Sequence, residues 1–299
     1  MLRPVVVGLD GSRESLAAAD WAAREALRRG LPLRLVHAYE GLPSNEPDAS
    51  ELPELEAPRY WARRILRAAL DRLNERYPQV YLSAEQVARP AADALVTAGS
   101  DAELLVLGSR AFSGFGGFMA GSVALSTVAR VPRPVVLVRA EQTLEDEHLP
   151  DPAGRPSAHA PYREVVVGLD ATQPCEEVVA YAFESAERRG APLVAVHTWQ
   201  TSRLPGVSDA KADEAAREAA GQALAAALLP WREKFPSVEI RERVEQGRPA
   251  QELPRAAAGA GLLVVGRRTR RGRLGTHIGP VAHAAMHHAR CPVAVVPHA

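Results

Sequence analysis

A glycine-rich segment at residues 108–123 carries the clearest signal for chemistry. It reads GSRAFSGFGGFMAGSV and connects an apolar run at 104–107 to a helical stretch that begins near Val123. A helix N-terminus that follows a glycine-rich bend presents free backbone amides and a partial positive charge to an anion. Arg110 adds a guanidinium that can hold phosphate oxygens in bidentate fashion. Because these features coincide, they favour a phosphate site over an ordinary capped loop.

The expected donors lie where this segment enters the next helix. Gly121 and Ser122 open that helix, so the amides of Ser122 and Val123 and the serine hydroxyl would face the anion. The segment contains no Walker-type Gly-Lys-Ser/Thr, and no pyrophosphatase-type Ser-Gly-Gly-x-Asp-Ser occurs in the chain. The predicted site therefore belongs to neither of those classes.

An aspartate follows the first apolar run in each half of the chain. Asp10 ends one VVVGLD and Asp170 ends the other. Either carboxylate can cap the following helix, since aspartate at an N-cap accepts hydrogen bonds from orphan amides. If Ser12 and Thr172 do the capping instead, the carboxylates are available to a ribose hydroxyl or a bound Mg²⁺. Both roles stay open.

The histidines offer little sign of catalysis or of metal binding. His37 and His197 occupy matching strand ends without acidic partners at ligand spacing, which favours packing. His283 and His287 stand one helical turn apart with His288 adjacent. No acidic residue is placed to complete a zinc site there, so a solvated helical face is the better interpretation. We expect no resident metal site and no catalytic residues.

The elements that would position these residues occur twice along the chain. VVVGLD stands at 5–10 and again at 165–170, and LLVLG at 104–108 returns as LLVVG at 262–266. A repeat of this length indicates duplicated structural units. We therefore predict modules at 1–140 and 163–299, joined by a polar, proline-bearing linker at 141–162.

Each module alternates apolar runs with amphipathic stretches, which indicates an α/β fold with a parallel sheet flanked by helices. In the first module the pattern predicts strands at 4–9, 32–38, 79–87, 103–108 and 134–138 and helices near 13–29, 58–76, 90–100 and 122–131. Each module is thus a five-stranded, Rossmann-like unit. Ligands of such sheets bind beyond the carboxyl ends of the strands.

Composition bounds the class of protein and its partners. The chain has 299 residues, 46% of them hydrophobic, and a formal net charge of zero, which is typical of a globular protein and gives no sign of nucleic-acid binding. Its two cysteines, Cys175 and Cys291, are too few for a disulfide framework, and Cys291 is expected in the core. With no signal peptide and no apolar stretch long enough for a bilayer, we expect a cytoplasmic protein without a membrane partner.

The chain resembles the universal stress proteins, in the tandem form, over both modules. Nucleotide-binding members carry Gly-x-x-Gly, nine residues, then Gly-Ser/Thr after the fourth strand. Here this pattern falls on Gly108, Ala111, and Gly121-Ser122, with the nine residues 112–120 between them. Ala111 replaces the second glycine; alanine disfavours a positive φ and crowds a phosphate lying against the backbone. The resemblance implies an adenine-nucleotide α-hydrolase-like fold.

The resemblance also implies an ATP site in each module. Asp10 would bind near the ribose, backbone around Val36 would edge the adenine, and the glycine motif would hold the phosphates. The first-module set is Gly8, Asp10, Val36, Gly108, Ser109, Arg110, Ala111, Gly121, Ser122 and Val123. The second-module set is Gly168, Asp170, Val196, Gly266, Arg267, Arg268, Gly279 and Val281.

The second module departs further from the motif. Thr269 stands where the second glycine would be, and Pro280 replaces the serine after Gly279. Proline is tolerated at a helix's first turn but removes an amide and the hydroxyl that would face a phosphate. We expect weaker nucleotide binding here. A solvated cluster is the preferred interpretation of the local arginines, ahead of a rewired anion site: Arg267, Arg268, Arg270, Arg271 and Arg273.

Three phenylalanines, Phe112, Phe115 and Phe118, lie in the first glycine segment beside Met119. Packing against the neighbouring module is the preferred interpretation. A lid beside the nucleotide and an exposed interface patch are the alternatives.

These features together predict a non-enzymatic, ATP-binding stress regulator, with or without Mg²⁺. Its modules would form an internal pseudo-dimer, and the resemblance makes pairing with a second chain a further expectation. Any ATP hydrolysis should be slow and incidental. Two alternatives remain: a nucleotide-independent interaction protein with degraded motifs, and a flavin- or nucleotide-using enzyme on a related fold.

Overall fold

The chain folds into two compact units, with the sequence boundary between Thr143 and Leu144. The computed structural model describes residues 2–39, 53–111, 118–119, 121–200, 210–269 and 278–299, and at 53–58, 110–111 and 118–119 it describes the backbone alone. Both units alternate strands with helices along the chain. The α/β class predicted from the apolar periodicity is confirmed.

The first unit is built around a parallel sheet whose strands are ordered β3-β2-β1-β4-β6. Its strands are β1 (Val5–Gly8), β2 (Leu33–Tyr39), β3 (Leu82–Ala88), β4 (Leu104–Ala111), β5 (Phe118–Met119) and β6 (Val135–Arg139). Its helices are α1 (Arg13–Arg29), α2 (Pro53–Arg76), α3 (Ala91–Ser100) and α4 (Ser122–Arg130). The strand order changes direction between β1 and β4, where sheets of this kind leave a crevice.

The second unit repeats this arrangement with strands ordered β11-β10-β7-β8-β9. Its strands are β7 (Val165–Gly168), β8 (Leu193–Trp199), β9 (Ile240–Gln246), β10 (Leu262–Arg268) and β11 (Val293–His298). Its helices are α5 (Glu176–Arg189), α6 (Ala210–Lys234), α7 (Pro249–Ala256) and α8 (Pro280–His288). Cys291 is buried just before β11, as predicted.

The central strands are buried because helices cover both faces of each sheet. Val5, Val6 and Val7 in β1 have no exposed surface, as expected of parallel strands without a solvent face. Helix α1 packs its alanine-rich face and the fully buried Trp21 inward. Its C-cap is Gly30, whose φ of 62° is the left-handed conformation that glycine adopts most readily.

The glycine-rich segment contains more regular structure than its sequence predicted. Strand β4 continues three residues beyond Gly108, and Phe118–Met119 return as the short antiparallel strand β5, with Arg110 opposite Met119 and Ala111 opposite Phe118. Extended backbone needs partners for its amides and carbonyls, and the two arms of the segment supply them to each other. Phe112 and Phe115 lie outside the described residues, so their roles stay predictions.

Much of the segment predicted as a linker packs as part of the second unit. A 3₁₀ turn covers Glu145–Glu147, and the ring of His148 lies on that of Tyr162 with centroids 4.0 Å apart. The Arg163 amide donates to the Glu147 carbonyl (2.9 Å). Polar composition alone did not reveal these contacts, because they join residues more than ten positions apart.

Candidate functional site

A cleft of about 250 Å³ opens at the carboxyl edge of the first sheet. It lies beyond the ends of β1, β2 and β4 and beside the N-termini of α1 and α4. Residues predicted from the sequence that line it are Gly8, Asp10, Val36, Gly108, Gly121, Ser122 and Val123. The fold thus brings together positions more than a hundred residues apart, as parallel topology requires.

Several lining residues were not predicted as part of the site. They are Leu9, Ser12, Glu14, Ser15, Ala38, Ala91, Leu95, Leu107 and Ala124. Ala38 was foreseeable, since it follows Val36 by two positions on the same strand face. Ala91 and Leu95 belong to α3, which carries no motif. Only the packing of that helix against the sheet places them here.

Asp10 accepts hydrogen bonds from its neighbour two residues on. The Ser12 amide donates to Asp10 Oδ1 (2.9 Å), and the Ser12 hydroxyl donates to the same oxygen. This short turn holds the carboxylate at the mouth of the cleft, where it is exposed to solvent. Asp10 is therefore placed to meet a polar ligand group.

Ser12, and not Asp10, caps helix α1. Ser12 Oγ accepts from the Ser15 amide (3.2 Å), while Ser15 Oγ donates to the Ser12 carbonyl (3.0 Å). The Asp10 amide in turn donates to Ser15 Oγ (3.3 Å). The alternative in which a serine relieves Asp10 of capping is confirmed in this module.

The N-terminus of α4 presents backbone amides to the cleft. Its N-cap is Gly121, which has no side chain to accept from them. The first helical hydrogen bond is donated by the Leu125 amide to the Gly121 carbonyl (3.0 Å), so the amides of Ser122 and Val123 precede it. Both side chains are exposed. Unbonded first-turn amides and the helix dipole together favour an anion here.

Gly108 lies in direct contact with the first turn of α1. A Cβ added at this position would lie 2.5 Å from the Glu14 carbonyl carbon and 2.7 Å from the Ser15 nitrogen. Only glycine permits so close an approach between strand and helix. The glycine at this position of the motif therefore has a packing role that does not depend on a ligand.

Other predicted residues of the first module have structural partners. Ser109 is buried, and its hydroxyl donates to the Val138 carbonyl (3.2 Å) on β6. The Val36 carbonyl accepts from the Leu9 amide (2.8 Å), which joins β2 to β1. For Arg110 and Ala111 the structure describes backbone only, so their side-chain roles stay predictions.

The ring nitrogens of the strand-end histidines lie within hydrogen-bond distance of backbone groups, which agrees with the predicted packing role. His37 Nδ1 lies 2.7 Å from the Leu9 carbonyl, and His197 Nδ1 lies 3.1 Å from the Leu169 carbonyl. The rings of His283 and His287 lie against each other on α8, with centroids 4.2 Å apart. Within the described ranges, no cluster of three or more His, Cys, Asp or Glu residues has the arrangement of a metal site.

In the second module Asp170 repeats the geometry of Asp10. The Thr172 hydroxyl donates to Asp170 Oδ1 (2.6 Å), as does the Thr172 amide (3.1 Å). Donation by that hydroxyl is the main reason that the pKa of Asp170 lies below its usual range. The alternative in which Thr172 caps the helix is wrong in this module: α5 begins at Glu176, and its N-cap is Cys175.

The remaining second-module candidates are spread over four elements. Gly168 pairs with Val196 across β7 and β8, and Gly279 precedes Pro280 and Val281 at the start of α8. In β10, burial lowers the pKa of the Arg267 guanidinium, which is 4% exposed. Arg268 donates to Gln173 Oε1 (3.4 Å).

Of the arginine cluster, Arg270, Arg271 and Arg273 lie outside the described residues. The preference for a solvated surface over a rewired anion site therefore stays a prediction for them. Arg267 is the exception within the described part, because its side chain is buried.

The fold defines a duplicated α/β protein with a ligand-sized cleft at the carboxyl edge of its first sheet. The sequence profile of the Universal stress protein family matches residues 1–139 and 161–297. The chain belongs to the universal stress protein family, in its tandem two-module form.

Related proteins match this chain over nearly its whole length. Universal stress protein Rv2005c of Mycobacterium tuberculosis is 34% identical over 304 residues, which covers 97% of this chain and 96% of that protein. A universal stress protein structure from Archaeoglobus fulgidus DSM 4304 matches 99% of this chain and 98% of its own, with a TM-score of 0.61 at 15% identity. That likeness confirms the fold.

A universal stress protein solved in complex with cAMP is also similar, at 29% identity. It covers 47% of this chain and 98% of its own, with a TM-score of 0.35.

No helix in the described part of this chain has the length and apolarity to span a bilayer.

Proposed function

We propose that the first module binds an adenine nucleotide, with ATP as the ligand, and that the protein acts as a cytoplasmic regulator. The observation that carries this proposal is the cleft itself. It joins Asp10, the uncapped amides at Ser122 and Val123, and the close-packed Gly108 in one space of about 250 Å³. Gly108, Ser122 and Val123 were predicted from the phosphate-binding segment and Asp10 from the end of the first strand, and all four line this one space.

The cleft offers different chemistry along its length. At one end, the amides and hydroxyl at the start of α4 suit phosphate oxygens. Asp10 suits a ribose hydroxyl, or a Mg²⁺ ion that accompanies the phosphates. At the other end, Val36, Ala38 and Leu95 provide an apolar surface for a purine ring. A nucleotide would therefore meet matching groups along its whole length.

A regulatory output is preferred over catalysis. The residues lining the described cleft include the acids Asp10 and Glu14 but no histidine, and the nearby His37 bonds to backbone. A general base must lie within hydrogen-bond reach of the attacking water, with a matched pKa. We expect hydrolysis to be slow and the response to be a change in contacts, including those of an internal pseudo-dimer or a homodimer.

Two measurements test the proposal directly. Denaturing the freshly purified protein should release ATP, which mass spectrometry detects, and calorimetry should show saturable ATP binding. If neither occurs, and millimolar Mg-ATP leaves the melting temperature unchanged, the proposal fails in favour of a nucleotide-independent interaction protein. Released flavin would instead support an enzyme on a related fold.

Gly121→Val provides the sharpest variant. Among the residues that the structure describes, none has an atom within 4 Å of a Cβ added at Gly121, and the φ of −59° there suits any residue. The valine should therefore leave the fold intact and project into the space where the phosphates would lie. We expect lost ATP binding at an unchanged ligand-free melting temperature. Unchanged affinity would show that the site lies elsewhere.

A further inference from the structure

The two modules differ in the wall that faces the cleft. In the first, the opening turn of α1 forms that wall: Glu14 and Ser15 line the cleft, and Ser12 Oγ caps the turn through the Ser15 amide (3.2 Å). The backbone of this turn rests on Gly108, with a hypothetical Cβ there only 2.5 Å from the Glu14 carbonyl carbon. A fixed, capped helix end thus borders the expected nucleotide.

The second module lacks this turn. Helix α5 begins at Glu176, which aligns with Leu16, so three helical residues of α1 have no helical counterpart. Pro174 lies in the stretch that is not helical, and the helical conformation is unfavourable for a residue that precedes proline. Gln173 occupies that preceding position. The N-cap of the shortened helix, Cys175, makes no capping bond through its side chain.

A side chain from the last strand fills the space that the missing turn would occupy. A Cβ at Gly266, the counterpart of Gly108, would lie 2.9 Å from His298 Nε2 and 3.1 Å from a Val178 methyl. The Thr269 amide and hydroxyl both donate to the His298 carbonyl, at 2.6 and 2.7 Å. Thr269, a departure from the motif, therefore fixes the backbone of His298, and the imidazole Nδ1 lies 3.0 Å from the Ala299 carbonyl oxygen.

The anion end of the second module has lost donors as well. Helix α8 starts with Pro280 after Gly279, so neither an amide nor a hydroxyl stands where Ser122 offers both. Each hydrogen bond to a charged group contributes roughly 1.5–3 kcal/mol, or about 10- to 150-fold in affinity. The second module thus differs from the first both in the helix turn beside the cleft and in the hydrogen-bond donors for an anion.

We infer that the chain binds one adenine nucleotide, in the first module, because the second module has lost donors at the start of α8 and has His298 where the capped turn borders the first cleft. This inference rests on the proposed function of the first cleft. The nucleotide would then be held by one half of a duplicated protein.

Calorimetric titration of the full chain with ATP in the presence of Mg²⁺ tests the inference through its stoichiometry. We expect one nucleotide per chain. Two per chain would overturn the inference and leave the proposed function standing. None would overturn both.

Two first-module variants then locate the nucleotide. Gly121→Val should reduce the stoichiometry from one to zero, and a remaining single site would place the nucleotide in the second module and overturn the inference. Ser122→Pro copies the second module's helix start into the first, and proline is tolerated there. It should weaken binding by at least about tenfold. Unchanged affinity would show that the loss of donors at Pro280 does not explain the absence of a second nucleotide. Ligand-free melting temperatures verify that both variants fold.

Discussion

Gly108→Ala should destabilise the first module through a clash between backbones. The new Cβ would lie 2.5 Å from the Glu14 carbonyl carbon and 2.7 Å from both the Glu14 oxygen and the Ser15 nitrogen. Ordinary contacts at a Cβ begin near 3.4 Å. These neighbours belong to the main chain of α1, so no rotamer change can relieve the contact. Strand β4 and the first turn of α1 must separate by roughly an ångström.

The expected cost follows from the two interactions disturbed. Overpacking of this kind typically costs 1–3 kcal/mol. Displacing the turn also weakens the Ser12 cap, which by itself is worth about 1 kcal/mol. We therefore expect the free energy of unfolding to fall by about 2–4 kcal/mol. Because the same turn lines the cleft, nucleotide affinity should fall too.

The chain offers two matched glycine controls. At Gly266 the three atoms nearest to the same Cβ belong to side chains, the His298 ring and a Val178 methyl, which can shift by a few tenths of an ångström more readily than backbone; about 1 kcal/mol is expected. At Gly121 it would meet no described atom within 4 Å, so alanine should cost only the loss of a glycine N-cap, about 0.5–1 kcal/mol. Urea unfolding followed by far-ultraviolet circular dichroism measures all three variants. If Gly108→Ala unfolds at the same midpoint as Gly121→Ala, the packing argument is refuted.

Further predictions concern the starts of α1 and α5. Ser12→Ala should cost about 1 kcal/mol as a lost cap, whereas Thr172→Ala should cost less at neutral pH because Thr172 caps nothing; equal urea midpoints for the two would contradict the assignment. The contribution of Thr172 depends on pH, since its hydroxyl lowers the pKa of Asp170. This stabilisation is complete above the usual pKa range of a carboxyl group and disappears as the pH falls through the lowered pKa of Asp170. The difference in free energy of unfolding between wild type and Thr172→Ala should therefore narrow in acid. Burial and the Glu177 carboxylate raise the pKa of Cys175 to about 11. Alkylation of Cys175 by iodoacetamide should therefore be slow at pH 8, and its rate should rise about tenfold per pH unit up to pH 10. The rate should be higher in Glu177→Gln. A rate that does not change between pH 8 and pH 10 would exclude the raised pKa.

The sequence predicted the fold because its signals are local and repeated. Continuous apolar runs such as Val5–Val7 can be buried only where helices cover both faces of a sheet, and the duplication at 165–170 fixes the two modules. The first cleft followed from this, since the ends of parallel strands share one edge. Asp10, Gly108 and Ser122 were predicted separately and line one space.

Contacts between distant residues were beyond the reach of those signals. The α3 residues in the cleft and the packing of the supposed linker on the second unit depend on chain segments that carry no motif. The hairpin formed by β4 and β5 likewise depends on pairing across the glycine segment. In each case the deciding contact is tertiary, and periodicity describes only neighbours along the chain.

By itself, then, the sequence determined two α/β modules, the edge of the sheet at which a ligand would bind, and the weaker motif of the second half. The tertiary structure alone decided that Gly108 supports a capped helix turn and that His298 occupies the corresponding space beside Gly266. The physical reason is that close packing is settled by which atoms are nearest in space. Two glycines with the same place in a motif can therefore face a helix backbone in one module and an imidazole in the other.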